Sequence, residues 1–264
     1  GGMADARLAE VMASLVSHLH AFVKDVGLTQ SEWEAAIGFL TQTGNICDEN
    51  RQEFILLSDV LGVSMLVDAI NNRRPAGATE NTVLGPFHVD GVAEYPMGAS
   101  ITKDGGRETC LFEGSVTDLE GTPLSGVRID VWSDNEDGFY DVQQPDLQPA
   151  HNNRGVFVTG ADGRYWFEGI KPVSYPIPDD GPVGQLLARL GRHPYRPAHM
   201  HFIVTADGYE PVITHTFVAG DAYLASDAVF GVKQSLIAPF DPVQDGATKW
   251  RSKFDFVLQR RSAT

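Results

Sequence analysis

The spacing of the apolar residues changes near residue 75, and this change limits the chain to folds with a helical part and a β part. Before that point, apolar residues recur at the three- and four-residue spacing of amphipathic helices. Three helices are predicted, in the segments DARLAEVMASLVSHLHAFVKDVG, TQSEWEAAIGFLTQTGNICD and ENRQEFILLSDVLGVSMLVDAINN. The second segment opens with Thr29 and Ser31, and either residue could cap a helix.

From about residue 108 onwards the sequence is typical of short β-strands separated by turn residues. The predicted strands are TCLFEGSVTD, GVRIDVWSD, GRYWFEGI, HMHFIVTAD, PVITHTFVAG and KFDFVLQR. Several short strands with such punctuation favour an antiparallel β-sandwich. We therefore predict a mixed α and β fold, in which an antiparallel β-sandwich core follows an N-terminal helical region. The predicted divisions are residues 1–75 for the helices, 76–107 for a linker and binding loop, and 108–264 for the sandwich.

Composition and charge exclude several classes of partner. The formal net charge is −15, whereas nucleic acids and anionic membranes require a basic surface. Cys47 and Cys110 stand far apart, so neither a disulfide framework nor a thiolate metal site is predicted. The N-terminus has no signal-peptide pattern, and no apolar run reaches the roughly 18 residues of a membrane span. We expect a cytoplasmic protein with no nucleic-acid partner and no membrane span.

Two histidines, His199 and His201, stand two apart inside the apolar run RPAHMHFIV. On a β-strand, residues i and i+2 point to the same face, so the two imidazoles would lie side by side. Such a pair suits a transition metal, although a lone pair of this kind is more often two half-buried histidines. The carboxylates that would complete a common Fe(II) site are missing, because Thr205 and Ala206 stand where a cupin would have a glutamate.

Tyrosine is the other candidate ligand. Tyr140 lies in DNEDGFYDVQ, just after a predicted strand, and Tyr175 lies in KPVSYPIPDDGPVG between prolines that stiffen the loop. Taken alone, such tyrosines are more often loop anchors, with a buried ring and a hydrogen-bonded hydroxyl.

Together these motifs resemble the intradiol ring-cleaving dioxygenases. The family pattern has a Y-P-I-P-x-D-G-P-V-G loop followed by G-R-H-P-x-R-P-A-H-x-H, and here these stretches are residues 175–184 and 191–201 without a gap. An earlier family tyrosine, in W-x-x-x-x-x-G-x-Y, is matched by Trp132, Gly138 and Tyr140. The resemblance covers nearly the whole chain. Within the family, ITHTFVAGDAYLASDAVFGVKQSL and LSDVLGVSMLVDAINN resemble the branch that acts on hydroxyquinol.

The resemblance implies a non-haem Fe(III) centre, one per chain, bound by Tyr140, Tyr175, His199 and His201. Phenolates suit this ion because ferric iron is a hard cation that favours anionic oxygen. The implied reaction is intradiol cleavage of an aromatic diol or triol by dioxygen, which gives a maleylacetate or hydroxymuconate type of product in aromatic degradation. The implied catalytic residues are Tyr175, which would also act as a base, and Arg196. His215 is a further catalytic candidate, because it should lie on the neighbouring strand and could hydrogen-bond a substrate oxygen; the alternative is a structural histidine.

The substrate remains open between hydroxyquinol and catechol or a chlorocatechol. Catechol enzymes of the family usually carry glutamine where His215 stands, which favours hydroxyquinol. The resemblance also implies these pocket walls: Leu56, Asp59, Val83, Leu84, Gly85, Pro86, Phe230 and Gly231. Asp59 is the informative wall, because a carboxylate on an apolar helix face is costly unless it is paired, and a third ring hydroxyl would pair it. The alternative is that Asp59 is a partly exposed helix residue hydrated by water.

The N-terminal helices carry more apolar surface than a short bundle needs, which favours a homodimer joined through them. The residues concerned are Val11, Leu15, Leu19, Phe22, Phe39, Leu40 and Leu57. The resemblance also implies dimers, sometimes with a phospholipid at the helical junction. A different class of protein remains an alternative, namely a non-catalytic β-sandwich that uses His199 and His201 for structural zinc or copper.

Overall fold

The computed structural model describes residues 5–49, 51–244, 246 and 248–261. The chain divides into two compact units, one ending at Phe54 and the other beginning at Ile55. The predicted division at residue 75 stays a prediction. Within the described residues, no helix has the length and apolar character needed to cross a membrane.

The first unit contains two helices, α1 (Ala6–Val26) and α2 (Gln30–Asn45). The carboxylate of Asp5 caps α1 by accepting a hydrogen bond from the Leu8 amide, and Gly27 ends the helix in the left-handed conformation. Thr29 begins α2 through a reciprocal capping box with Glu32. Of the two cap residues predicted for this helix, Thr29 is therefore the one used.

The third predicted helix is wrong as a single element, because it is two helices, α3 (Glu53–Val60) and α4 (Val63–Asn71). Gly62 separates them with a φ of +75°, a left-handed conformation that ends a right-handed helix and that glycine adopts at little cost. The apolar pattern continues through Leu61 and Gly62, so periodicity alone did not reveal the break.

The second unit also contains twelve described strands and a fifth helix. The longer strands are β1 (Thr109–Asp118), β2 (Arg128–Trp132), β3 (Arg154–Val158), β4 (Arg164–Ile170), β7 (His199–Thr205) and β8 (Val212–Val218). The shorter elements are β5 (Tyr175–Pro176), α5 (Pro182–Arg189), β6 (Tyr195–Arg196), β9 (Ile237–Ala238), β10 (Asp241–Pro242), β11 (Trp250–Lys253) and β12 (Phe256–Leu258).

These strands form two five-stranded sheets and a small two-stranded one. In the first sheet β1 pairs with β4, β11 and β12, and β10 pairs with β11; the second sheet has the order β3-β2-β7-β8-β9. The predicted β-sandwich after N-terminal helices is confirmed. Its sheets are mixed, because β1 runs parallel to β11 and β12, and β8 runs parallel to β9.

Aromatic rings fill the core between the two large sheets. Phe157 of the second sheet stacks on Phe167 of the first, with ring centroids 5.0 Å apart, and Phe202 contacts Phe256 at the same distance. Phe167, Phe157 and Phe256 are fully buried and Phe202 nearly so, which makes such rings a large share of the apolar area that stabilises the fold. The core fixes the position of β7, which carries the two histidines.

Candidate metal centre

Strand β7 is buried on both faces, and its alternating side chains point either into the sandwich core or towards the candidate metal centre. Met200, Phe202 and Val204 point into the sandwich core. His199 and His201 lie on the opposite face, as successive residues of a strand must, and both are almost fully buried. The predicted side-by-side arrangement of the two imidazoles is therefore present.

The neighbouring strands place further side chains around His201. Trp132 of β2 and His215 of β8 are its directly paired residues, so all three point to one face. The Trp132 indole stacks on the His201 ring at 4.6 Å with an 11° interplanar angle. The His215 ring lies 4.2 Å from the His201 ring on the other side. The His201 ring therefore lies between the rings of Trp132 and His215, which restrict its orientation.

Tyr140 reaches the same place from the loop that follows β2. Its ring is fully buried and stacks on Phe87 with centroids 4.5 Å apart. Its Oη lies 2.9 Å from Nε2 of His201. The loop turns at Gly138, which has a φ of +82°, and an added Cβ there would lie only 3.1 Å from Cβ of Tyr175. Glycine at this position therefore lets the two tyrosine segments approach each other.

Tyr175 and Arg196 come from the two-stranded sheet, where they are directly paired residues of β5 and β6. Both are buried. The Tyr175 Oη lies 3.3 Å from the Tyr140 Oη and 3.4 Å from Nε2 of His199. The Arg196 Nη1 lies 3.4 Å from the same His199 nitrogen. The short sheet therefore presents a phenol and a guanidinium to the histidine pair together.

Four donor atoms converge in this centre: the hydroxyls of Tyr140 and Tyr175 and the Nε2 atoms of His199 and His201. Their described separations run from 2.9 Å to 3.4 Å, including 3.2 Å between the two imidazole nitrogens. Donors bound to one ion at about 2.0–2.2 Å lie about 2.8–3.1 Å apart at adjacent octahedral positions and about 3.3–3.6 Å apart in tetrahedral geometry. The four described separations are therefore compatible with one metal ion between these residues.

The tautomer of His199 also suits a metal. Its Nδ1 lies 2.7 Å from the carbonyl oxygen of Pro197, which can only accept, so Nδ1 carries the hydrogen. The lone pair is then on Nε2, which faces the other three donors. A backbone carbonyl that orients an imidazole in this way is common behind metal-ligating histidines.

Burial keeps the histidines neutral and the tyrosines protonated in the metal-free centre. Burial lowers the pKa of His199 to about 3, with a further contribution from Arg196. It also lowers the pKa of His201 and His215 well below the ordinary value. Burial raises the pKa of Tyr140 well above its usual range, and raises that of Tyr175 although Arg196 opposes the rise. A bound cation would therefore have to displace the phenolic protons.

His215 belongs to the cluster but lies outside this set of four donors. One of its ring nitrogens lies within 4.8 Å of one ring nitrogen of His199 and one of His201. Its Nδ1 is hydrogen-bonded to the Thr82 hydroxyl. His215 therefore lies beside the two imidazoles of the candidate centre and is tied to Thr82 on its other side.

Arg196 is held in place by a carboxylate that the sequence did not reveal. Asp227 accepts hydrogen bonds from Nε and Nη2 of Arg196 and from the amides of Val229 and Gly231. Burial disfavours the charged forms of both partners, but their attraction dominates. It lowers the pKa of Asp227 and raises that of Arg196.

The predicted pocket walls lie at different distances from the centre. Gly85 is in contact, because an added Cβ would lie 3.1 Å from Cε1 of His201, and an added Cβ on Gly231 would lie 2.9 Å from Nη2 of Arg196. Phe230 is exposed, with a φ of +58°, under the Arg192 guanidinium. Asp59 is half-buried and interacts electrostatically with Arg196. Of the other walls, Leu56 and Val83 are half-buried, whereas Leu84 and Pro86 are exposed.

Two residues at the centre were not predicted, Thr82 and Asp227. Thr82 directly precedes the predicted pocket wall Val83, and Asp227 stands a few residues before Phe230, so both lie inside stretches that the family resemblance covers. Only the pairing of distant segments shows what they contact.

Comparison with known proteins gives concordant matches along the chain. Residues 85–260 match the family described as Dioxygenase, and residues 5–79 match the family described as Catechol dioxygenase N terminus. The chain is 57% identical to hydroxyquinol 1,2-dioxygenase of Rhizobium sp. (strain MTP-10005), over 97% of this chain and 90% of that protein.

A second similar protein and a solved structure match the chain over nearly its whole length. The chain is 52% identical to 6-chlorohydroxyquinol 1,2-dioxygenase of Cupriavidus pinatubonensis, over 96% of this chain and 91% of that protein. The solved structure of hydroxyquinol 1,2-dioxygenase from Pseudomonas putida DLL-E4 superposes with a TM-score of 0.94 at 44% identity, and the match covers 98% of this chain and 94% of that one.

Proposed function

Because this chain belongs to the intradiol ring-cleavage dioxygenases, we propose that it uses dioxygen to open the ring of hydroxyquinol between the two adjacent hydroxylated carbons. The product is a ring-opened diacid of the maleylacetate or hydroxymuconate type. The observation that carries the proposal is the convergence of two phenol oxygens and two imidazole nitrogens within 3.4 Å of their neighbours. The names of the hydroxyquinol-cleaving relatives support the choice of substrate.

The cofactor in this proposal is one non-haem Fe(III) per chain, held by Tyr140, Tyr175, His199 and His201. Two phenolates supply the anionic oxygen that a hard trivalent cation favours, and two neutral imidazoles complete the set. When bound, the ion would supply Lewis acidity, which withdraws electron density from the oxygens of the diol and prepares a ring carbon for attack by dioxygen.

The ligand residues divide the handling of protons between them. Two hydroxyl protons must leave an aromatic diol when it binds as a chelate. In this proposal the phenolate oxygen of Tyr175, on the two-residue strand β5, accepts one of them, and the other passes to solvent. Tyr140 would stay bound to the ion, since its buried ring is stacked on Phe87. Arg196, opposite Tyr175, stabilises the negative charge that develops on the substrate.

Metal analysis with visible spectroscopy tests the cofactor. Purified protein should contain one iron per chain and show a broad visible absorption band from tyrosinate-to-iron charge transfer, and Tyr140→Phe should shift or abolish that band. Zinc or copper bound to the histidines, with a visible spectrum unaffected by changes at either tyrosine, would support a non-catalytic module and contradict the proposal.

Asp59 carries part of the proposed substrate preference. Burial raises its pKa, against an opposing hydrogen bond from Ser64 and the charge of Arg196, so this carboxyl gains from a new hydrogen-bond donor. In the proposal that donor is the third hydroxyl of hydroxyquinol, which approaches between Leu56, Val83 and the loop residues Leu84 and Pro86. A hydrogen bond to a charged group contributes about 1.5–3 kcal/mol.

Steady-state kinetics of Asp59→Ala tests this role. The value of kcat/KM for hydroxyquinol should fall about tenfold to a hundredfold, whereas catechol, which lacks the third hydroxyl, should lose little. An equal fall for both substrates would make Asp59 a structural residue. A wild-type preference for catechol or a chlorocatechol would replace hydroxyquinol in the proposal and leave the metal centre unchanged.

We further propose that the protein is a cytoplasmic homodimer joined through its N-terminal helices. Helix α1 has no buried residue among those described. Its apolar side chains Val11, Leu15, Leu19 and Phe22 are each more than two-fifths exposed, as is Leu40 of α2. A phospholipid acyl chain is proposed to fill part of this junction. Sedimentation at micromolar concentration should give a dimer, and mass spectrometry of a solvent extract should detect phospholipid.

A further inference from the structure

Asp221 joins the two segments that lead into Tyr175 and His199. Its Oδ2 accepts a hydrogen bond of 2.5 Å from the Ser174 hydroxyl and another of 3.1 Å from the Ala198 amide. Ser174 directly precedes Tyr175, and Ala198 directly precedes His199. One carboxylate oxygen therefore connects the residues that stand next to two of the four candidate ligands.

The turn that carries Asp221 orients this carboxylate. The turn follows strand β8, whose last residue, Val218, donates its amide hydrogen to the Ala198 carbonyl. Gly220 then turns the chain with a φ of +81°, a left-handed conformation that glycine adopts at little cost. The second carboxylate oxygen, Oδ1, accepts a hydrogen bond of 2.9 Å from the amide of Tyr223, two residues further on. Oδ2 is therefore left to face the two ligand segments.

The strand that carries Tyr175 is short. This strand, β5, pairs with β6 over two residues of each strand, and a two-stranded pairing is marginally stable by itself. The distance of 3.4 Å between the Tyr175 Oη and the His199 Nε2 therefore depends on contacts outside this small sheet. The hydrogen bonds of Asp221 are such contacts, because they hold the start of β5 against the start of β7.

We propose that Asp221 is a positioning residue that sets the separation of Tyr175 and His199, and through it the spacing of the donor atoms in the candidate metal centre. It acts through the residues that precede the two ligands. Replacing residues that orient metal ligands typically changes metal affinity about 10–100-fold. The role in spacing rests on the contacts above, whereas its effect on iron rests on the proposed function.

The iron affinity of Asp221→Ala, measured by competition with a chelator, is the first test, and it should be about 10–100-fold weaker than that of the wild type. Asp255→Ala is a matched control, because Oδ1 of Asp255 also accepts hydrogen bonds from one hydroxyl and one amide, both of Ser115 on β1. The control should keep the wild-type affinity. A wild-type affinity in Asp221→Ala, or an equal loss in the control, would overturn the proposal.

Ser174→Ala is a milder variant, because it removes one of the three described hydrogen bonds of the carboxylate. Its iron affinity should lie between those of the wild type and Asp221→Ala. Should Asp221→Ala fail to fold, a wild-type affinity in Ser174→Ala overturns the proposal.

The visible absorption band separates positioning from a general loss of stability. Asp221 is tied to the segment of Tyr175, whereas Tyr140 comes from the loop after β2. The band of iron-loaded Asp221→Ala should therefore shift towards that of iron-loaded Tyr175→Phe. An unchanged band, or a shift towards that of Tyr140→Phe, would contradict the proposed role.

Crystal structures of the metal-free protein give a readout that needs neither iron nor turnover. The distance between the Tyr175 Oη and the His199 Nε2 should be longer in Asp221→Ala than in the wild type, and unchanged in Asp255→Ala. An unchanged distance in Asp221→Ala would overturn the inference. If the wild type binds no iron and cleaves no aromatic diol, the proposed function fails, and this distance still decides the role of Asp221.

Discussion

The buried ion pair between Arg196 and Asp227 should be a major contributor to stability, and Asp227→Asn tests this. Both residues are 4% exposed, and the described contacts are 3.2 Å from Nε to Oδ1 and 3.4 Å from Nη2 to Oδ2. Removing one partner of a buried pair leaves an uncompensated charge and costs about 3–5 kcal/mol. We expect the variant to lose this much free energy of unfolding at neutral pH, measured by urea denaturation of metal-free protein.

Asp118→Asn is a matched control. Asp118 also accepts hydrogen bonds from one arginine, Arg260, and from two backbone amides, those of Glu120 and Thr122. The Arg260 side chain is 66% exposed, so water can solvate its charge when the carboxylate is lost. The control should therefore lose clearly less stability than Asp227→Asn. Equal losses would refute the argument from burial.

The pH dependence gives a second check with a defined sign. Arg196 holds the pKa of Asp227 below its ordinary value of 3.8, so the unfolded chain takes up this proton more readily than the folded one. The contribution of the ion pair is complete above pH 3.8 and is lost as the pH falls through the folded pKa. The difference between the wild type and Asp227→Asn should therefore shrink only below that pH. A difference that already disappears between neutral pH and pH 5 would contradict this assignment.

Three further substitutions have defined outcomes. Gly85→Ala should cost about 1–2 kcal/mol of unfolding free energy, measured by denaturation, because the φ of this residue is +78°. It should also lower iron occupancy, measured by metal analysis, because the new Cβ would lie against the His201 ring. Tyr175→Phe should lose more activity per bound iron than its iron loss explains, and normal turnover by the iron-loaded variant would remove its role as a base. Asp134→Asn should raise the free energy of unfolding at neutral pH, since burial raises the Asp134 pKa well above 3.8 and folding then requires proton uptake. That gain should shrink as the pH falls and should vanish below the ordinary pKa of 3.8, where the unfolded carboxyl is protonated as well.

The parts of the fold and site that the sequence predicts are those encoded in short-range patterns. The H-x-H pair lies on a strand because apolar residues continue on both sides of it, and alternation places both rings on one face. Tyr140 and Tyr175 could be chosen among seven tyrosines only by family resemblance. Their hydroxyls meet because Gly138 lets the two segments approach, and no local pattern specifies that meeting.

The missed features depend on partners that are distant in sequence. Strand β3 begins with Arg154, and this arginine is buried because Asp141 and the carbonyl of Phe87 accept its hydrogen bonds. Without knowledge of those partners, the charged arginine at the start of this short segment favours a loop over a buried strand. Asp227 looks like one more acidic residue in an acidic chain until Arg196 is placed beside it.

The wide separation of the four candidate ligands along the chain has a consequence for how the protein matures. Only His199 and His201 are near neighbours in sequence, so an unfolded chain offers an ion little more than one pair of imidazoles. The complete set exists only after β2, β5 and β7 have paired with their sheets, and those pairings join residues far apart in the chain. Contacts of such long range form slowly, because closing long loops costs entropy. For the iron centre proposed above, we therefore expect metal uptake to follow the assembly of the sandwich, after the newly made polypeptide has reached its native topology.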